Sequence, residues 1–221
     1  MKTYHKIQTV FLRDPEDNYK TLLEGQYAKP EFEYLRNCLW TIDEKLDGTN
    51  IRILWDGKKS EIRGKTDNAQ LHVDLITNIQ NLVNDDKLRE IFGSAEDDSF
   101  DVNAAKNIEV CLYGEGVGPG IQKGGGGYGP EKTFILFDVL VGSFWLQRKD
   151  VEDIANVLGM QIAPVIATGT LDDVVEMTRA GFKSQYGDFI AEGVIARPVV
   201  PLTNRFGERV ITKLKHSDFS V

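Results

Sequence analysis

Lysines and carboxylates set beside tight turns offer the most specific chemistry in this 221-residue chain. In Glu44-Lys45-Leu46-Asp47-Gly48-Thr49-Asn50 a lysine stands at the end of one apolar run, and a polar turn leads into the next. An amine there is a nucleophile only when neutral, and a lysine with the ordinary pKa of about 10.4 is almost wholly protonated at neutral pH. Nearby cations and apolar flanks are the two ways to lower that value. Lys213-Leu214-Lys215 is suited to supply the cations, because residues two apart on a strand share a face while the residue between points to the core. Each pattern also has a plain reading. Asp-Gly and Thr-Asn are ordinary turn formers, and alternating Lys-Leu-Lys is the pattern of a solvent-facing strand. Glu115, between Gly114 and Gly116, is by itself a loop carboxylate, and Phe137 is by itself a core aromatic on the strand face of Ile135 and Val139.

Other chemistries are poorly served. Cys38 and Cys111 cannot make a disulfide framework, and with only His5, His72 and His216 beside them they do not form a closed zinc site. Gly124, Gly126 and Gly129 match G-x-G-x-x-G, but Pro130 leads onward into a strand instead of a helix, and no G-x-x-x-x-G-K-[ST] segment exists. The glycine-dense segment Gly114 to Gly129 therefore reads as a flexible loop, with Lys123 and Tyr128 placed to meet a polyanion, or as plain disorder. Lys plus Arg number 26 against 34 Asp plus Glu, for a formal net charge of −8. Whole-surface adhesion to nucleic acid is thereby disfavoured, and a polyanion must be met by a local basic site. No stretch approaches the roughly 18 apolar residues of a membrane span, and no apolar signal core opens the chain. A reducing cytoplasm is the expected setting, with no membrane partner.

The elements that must position these residues follow from periodicity. Trp40 to Glu44 and Asn50 to Trp55 alternate as half-buried strands, and Asp56-Gly57 turns the second into Ser60 to Arg63. Leu71, Leu75, Ile79, Leu82 and Val83 predict one amphipathic helix from Leu71 to about Phe92. The acidic stretch Ala95 to Asn103 reads as a solvated loop. Ile108 to Tyr113 reads as a strand, and Thr133 to Val141 as a strand buried on both faces, with Asp138 its anomaly. Helices are expected over Lys149 to Leu158, ended by Gly159, and over Leu171 to Ala180, opened by Thr170 with Asp173 three residues on and closed by Gly181. Gly193 to Ala196, stopped by Pro198, and Arg209 to Lys215 complete the strands. More strands than helices, in no regular alternation, predict an α+β domain of mainly antiparallel sheets.

Five segments in order, Glu44 to Asn50, Tyr113-Gly114-Glu115-Gly116, Ile135-Leu136-Phe137-Asp138-Val139, Glu192-Gly193-Val194-Ile195 and Ile211-Thr212-Lys213-Leu214-Lys215, span most of the chain. Their set resembles the covalent nucleotidyltransferases, polynucleotide ligases and RNA capping enzymes that form a lysine–nucleotide phosphoramidate. Thr49-Asn50 after Asp47-Gly48 looks like the nick-sealing RNA-ligase branch, since DNA ligases and capping enzymes usually carry arginine where Asn50 stands. Gly64 to Gln70, and Gly114 to Gly118 with Ile121 to Gly125, resemble phage-type members, which would place the protein in a host cytoplasm.

The resemblance implies a single ATP-grasp-like nucleotidyltransferase domain over 1–221, with its sheets around a nucleotide pocket. Lys45 would be the nucleophile towards the α-phosphate of ATP, with Glu44, Leu46 and Asn50 flanking the nucleotide. Lys213 and Lys215 would hold the α-phosphate and stabilise its developing charge. Phe137 would stack on adenine, and Glu115 would accept hydrogen bonds from the ribose hydroxyls. Glu192, joined by Asp47, would bind Mg²⁺ or Mn²⁺ directly or through water. Arg63 or Lys65 would touch phosphate or ribose; relatives often carry arginine where Lys65 aligns, so the choice stays open. Substrates would be RNA 3′-hydroxyl and 5′-phosphate ends in a nicked RNA duplex or RNA/DNA hybrid.

Six residues follow Lys215, which predicts a catalytic core without an appended oligonucleotide-binding or C-terminal helical domain. RNA binding would then be weak, salt-sensitive and aided by a protein partner. A DNA-ligase core, and a nucleotide-binding subunit without full turnover, are the alternatives.

Overall fold

The structure, a computed structural model, describes residues 3–93 and 109–219, so the acidic segment 95–103 lies outside the described residues. Its strands are β1 (Gln8–Thr9), β2 (Phe11–Arg13), β3 (Leu22–Tyr27), β4 (Trp40–Lys45), β5 (Thr49–Trp55), β6 (Ser60–Gly64) and β7 (Val110–Val117). They continue as β8 (Thr133–Val141), β9 (Phe144–Trp145), β10 (Gln161–Ile162), β11 (Val165–Gly169), β12 (Gly193–Pro198) and β13 (Thr212–Lys215). The helices are α1 (Pro30–Tyr34), α2 (Val73–Leu82), α3 (Asp85–Phe92), α4 (Arg148–Leu158) and α5 (Leu171–Ala180). Two compact units result: the residues up to His5 with Asp47–Ile162, and Lys6–Leu46 with the chain from Ala163 onward. The α+β expectation holds, since among the described residues all but two of the pairings between strands are antiparallel.

The unit containing Asp47–Ile162 is built on a sheet of order β10-β8-β7-β5-β6, with β9 against β8. Side chains alternate between its faces. Ile51, Ile53 and Trp55 of β5, Leu112 of β7 and Phe134, Leu136 and Val139 of β8 form one buried face with Leu75 and Ile79 of α2, Leu88 of α3 and Val151 and Leu158 of α4. Fully burying each such side chain contributes about 1.5–3 kcal/mol. Leu54, Cys111, Tyr113 and Leu140 lie in a second cluster with Tyr4, Phe137 and Trp145. Burial pushes the Cys111 thiol up to about 11, so it stays protonated and inert at neutral pH.

Three expectations for this unit are corrected. The apolar period from Leu71 to Phe92 is carried by two helices, because Val83 is extended and the Asn84 side chain caps α3 by accepting from the Lys87 amide at 2.9 Å. The strand from Val110 does not stop at Tyr113 but runs through Gly114, Glu115 and Gly116, paired with Leu136, Ile135 and Phe134. Phe137 does not share the face of Val139: Tyr113 opposes Asp138 while Gly114 opposes Leu136, so Phe137 is the extra residue of a β-bulge. The bulge turns Phe137 and Asp138 to one side. Tyr4 meets both, its ring edge-on to Phe137 at 5.1 Å and its hydroxyl donating to the buried Asp138 carboxylate.

The other unit holds the sheet β1-β13-β12-β4-β11 and the β2-β3 hairpin. Trp40, Ile42, Val194, Ala196 and Leu214 bury one face against Leu171, Val174 and Val175 of α5. Helix α5 matches its expected bounds and carries the Thr170–Asp173 capping box. The last strand begins at Thr212, later than expected, because Arg209 and Val210 are spent on a hairpin: Arg209 bridges Thr203, and the Val210 amide bonds the Leu202 carbonyl.

Candidate active site

In the unit carrying β4, strand register explains the lysine cluster. Gly193, the first residue of β12, lies opposite Lys45 of β4 on one side and Lys215 of β13 on the other. Glu192 therefore emerges between two lysine-bearing strand ends. Its Oε1 pairs with Lys215 at 2.6 Å and its Oε2 with Lys45, whose Nζ also lies 3.3 Å from the Leu46 carbonyl. Ile195 is opposite Lys213, which puts Lys213 and Lys215 on the face opposite the buried Leu214, as their spacing requires. Asp43, two residues before Lys45, shares its face and is gripped by Arg197 of β12. Sequence reasoning missed this pair, although the period of two signals Asp43.

The same alternation sends Glu44 the other way. Its buried carboxylate accepts from the Ser184 hydroxyl and, at 2.8 Å, from the Gln185 amide, and so pins the 184–185 turn. Leu46 is buried. Lys45 differs from the sequence expectation in its environment, because a carboxylate faces it as well as cations. Lys213 is held below the usual range, first through burial and then through the like charges of Lys45, Lys215 and Arg13, with Glu192 opposing.

A lysine whose folded pKa lies below its unfolded value destabilises the fold at all lower pH values. The penalty is relieved as the pH climbs from the folded value towards about 10.4. Lys213→Met is therefore expected to raise the melting temperature by a few degrees at pH 7, with a gain that shrinks in thermal unfolding series taken towards pH 10. A constant gain at every pH would show that burial of the ammonium is not its source.

In the unit carrying β5, one sheet face gathers the remaining candidates. Asn50 and Glu115 are directly opposed on β5 and β7. Asn50 Oδ1 is buried and accepts no hydrogen bond from the described residues. Arg52, only 1% exposed, lies opposite Arg63 of β6. It donates to the Gly64 carbonyl at 2.9 Å and to Asp67 at 2.8 Å, while Arg63 bridges Glu61 and Asp67. Arg63 thus forms a solvent-exposed clasp with two carboxylates that hold its pKa above its usual value, and Lys65 stands exposed on the loop beyond it. Arg52 was not foreseen; a charged residue between Ile51 and Ile53 is its signal. Asp47 lies in this unit and Glu192 in the other.

Among the described residues no group of three or more His, Cys, Asp or Glu is arranged to hold a metal. Glu192, with both oxygens bound by ammonium groups, fits a Mg²⁺ that arrives with phosphates and keeps its waters better than one caged by protein alone. Among the described residues no helix is long and apolar enough to cross a membrane.

These sheets, with a lysine-carboxylate-lysine bridge on adjoining strand ends, define a nucleotidyltransferase-type fold. Solved structures of Naegleria gruberi RNA ligase are similar to it. A mutant with ATP and Mn aligns with TM-score 0.65 at 13% identity, covering 97% of this chain and 56% of that one. A mutant with AMP and Mn gives 0.63 at 14%, covering 96% and 56%, and an apo mutant gives 0.62 at 14%, covering 86% and 52%. The chain thus spans about half the length of the ligase chains it matches, and at such identities the likeness speaks for the fold. No curated protein matches in sequence. The model of the RNA ligase family matches residues 39–215. The chain belongs to the RNA ligase family.

Proposed function

We propose that the protein is an ATP-dependent RNA ligase that joins RNA 3′-hydroxyl and 5′-phosphate ends through a lysyl-AMP on Lys45. The observation that carries this reading is the single carboxylate, Glu192, shared by Lys45 and Lys215, with Lys213 on the same strand face. Lys45 must leave Glu192 and give up a proton to solvent water; its nitrogen lone pair then attacks the α-phosphorus of ATP, and the bond to the bridging oxygen breaks to release pyrophosphate. Lys213 and Lys215 neutralise the charge that develops on the α-phosphate. An oxygen of the RNA 5′-phosphate next attacks the lysyl-AMP phosphorus and the P–N bond breaks, returning the amine. The 3′-hydroxyl finally attacks the activated 5′-phosphate, and AMP leaves. Glu192, with Asp47, would hold Mg²⁺, which when bound screens the phosphates during in-line displacement.

Asn50 and Glu115 would take the sugar, Phe137 the adenine, and Arg63 or Lys65 a phosphate or the ribose. The Glu44 side chain is already engaged, so Glu44 and Leu46 would act through the main chain. Intact-protein mass spectrometry after incubation with ATP and Mg²⁺ tests the reading: one AMP should add to Lys45, and no adduct would refute it. ATP should charge the protein faster than GTP does. Phe137→Ala should weaken ATP binding about 5- to 150-fold, the equivalent of the roughly 1–3 kcal/mol of a stacked base. Thermal unfolding must accompany that titration, because Phe137 also packs against Tyr4.

The RNA would be a nicked duplex whose 3′-hydroxyl strand is RNA, met by clusters such as Lys58, Lys59, Arg63, Lys65 and Lys123 and helped by a protein partner. With a net charge of −8, affinity of the pre-charged protein for that nick should collapse by orders of magnitude between about 50 and 200 mM salt. Salt-independent sealing, or preference for an all-DNA nick, would overturn the substrate assignment. Cys38 and Cys111 are free thiols, which suits a reducing cytoplasm.

A further inference from the structure

The glycine-dense segment after β7 is neither a phosphate loop nor a loose end. Successive main-chain bonds three residues apart wind it from Gly118 to Gly129, with Gly125–Tyr128 forming a short 3₁₀ helix. Ile121 packs against the main core of its unit, and Tyr128, expected near an RNA end, is buried instead. The fold-back needs glycine: a Cβ on Gly125 would lie 2.1 Å from the Gly118 carbonyl oxygen.

The far side of this segment meets Asp47-Gly48, the turn that follows Lys45. Strand β4 ends at Lys45 and β5 begins at Thr49, so the amide of Asp47 has no strand ladder to join and must find another partner. It donates to the Tyr128 hydroxyl at 2.8 Å. Gln122 Nε2 donates to the Gly48 carbonyl at 3.0 Å. Gly48 itself presses on β7, where a Cβ would fall 2.2 Å from the Gly116 oxygen, so the turn is held on two sides.

We infer that Gly118–Gly129 is a strap that holds the Asp47-Gly48 turn, and that Tyr128 is a positioning residue for transfer of AMP to the neighbouring lysine. The consequence for AMP transfer rests on the ligase reading above; the strap itself does not. Misplacement of a reacting group by about 1 Å costs up to roughly 100-fold in rate, which sets the scale of the effect.

The test compares the full chain with Tyr128→Phe, which keeps the ring and deletes the acceptor. Two quantities are read: the single-turnover rate of lysyl-AMP formation across ATP concentrations, and hydrogen exchange of the Asp47 amide by NMR. The variant should charge roughly 10- to 100-fold more slowly at saturating ATP, with the half-saturating ATP concentration unchanged. Asp47 amide exchange should quicken at least about tenfold, the effect of losing a hydrogen bond of about 1.4 kcal/mol. Charging at the wild-type rate would overturn the positioning role, and unchanged amide exchange would overturn the strap. Should the wild type itself take no AMP, the ligase reading and the positioning role fall together, and the exchange measurement still decides the strap. If Tyr128→Phe does not fold, Gln122→Ala, on an exposed side chain that donates to the Gly48 carbonyl, is read by the charging rate alone and should slow it, and charging at the wild-type rate would overturn the inference.

Discussion

Replacing Lys45 by alanine will reduce lysyl-AMP formation by roughly 10⁴-fold or more, the scale on which loss of a covalent nucleophile acts. The protein will stay folded. Lys45 is the last residue of β4, its main-chain pairing with Gly193 does not involve the side chain, and Glu192 keeps Lys215 as its partner. One oxygen of a partly buried carboxylate loses its ammonium, a change that costs about 1–3 kcal/mol. Mass spectrometry after ATP and Mg²⁺ reads the first effect and thermal unfolding the second. An AMP adduct that persists on the alanine variant would place the nucleophile elsewhere, whereas a variant that unfolds would mean that the Lys45–Glu192 pair holds the sheet together. Lys215→Ala should also block charging while leaving Lys45 paired.

Glu192→Gln should cut charging by roughly 10²- to 10³-fold, the range for removing one preorganised electrostatic group. Glutamine keeps the shape but takes away the negative charge that now faces Lys45 and Lys215, beside a third ammonium group, that of Lys213. The charge available to a phosphate-borne magnesium disappears as well. Titrating Mg²⁺ and Mn²⁺ against the charging rate separates the two losses. A higher metal requirement with a recoverable maximum assigns Glu192 to the metal, and a depressed maximum at every metal concentration assigns it to ordering the lysines. Wild-type charging at ordinary metal concentrations would remove Glu192 from the site altogether.

The local order of this chain was set by its sequence alone. Alternation marks β4 and β5, an apolar run marks β8, the Thr170–Asp173 box starts α5, and Gly159 follows the last residue of α4, because each signal lies within a few neighbouring residues. The same short-range logic places Lys213 and Lys215 on one face and sends Leu214 to the other. Short strands such as Gln8–Thr9 carry too few residues to show a period, and the break at Val83-Asn84 hides inside an apolar spacing that runs straight across it.

Only the tertiary structure decided how residues far apart in sequence meet. Glu192 lies between Lys45 and Lys215 because Gly193 is in register with both, and register is a property of three strands together. Phe137 leaves the main core face because β8 carries one more residue than β7 at that point, an excess visible only when the strands are paired. Arg63 is bound into a clasp by Asp67, and Tyr128 is buried with its hydroxyl at the Asp47 amide, 81 residues away in the chain. A side chain's type and spacing show what chemistry it can do; packing and pairing determine whether its charge and hydrogen bonds are free to do it.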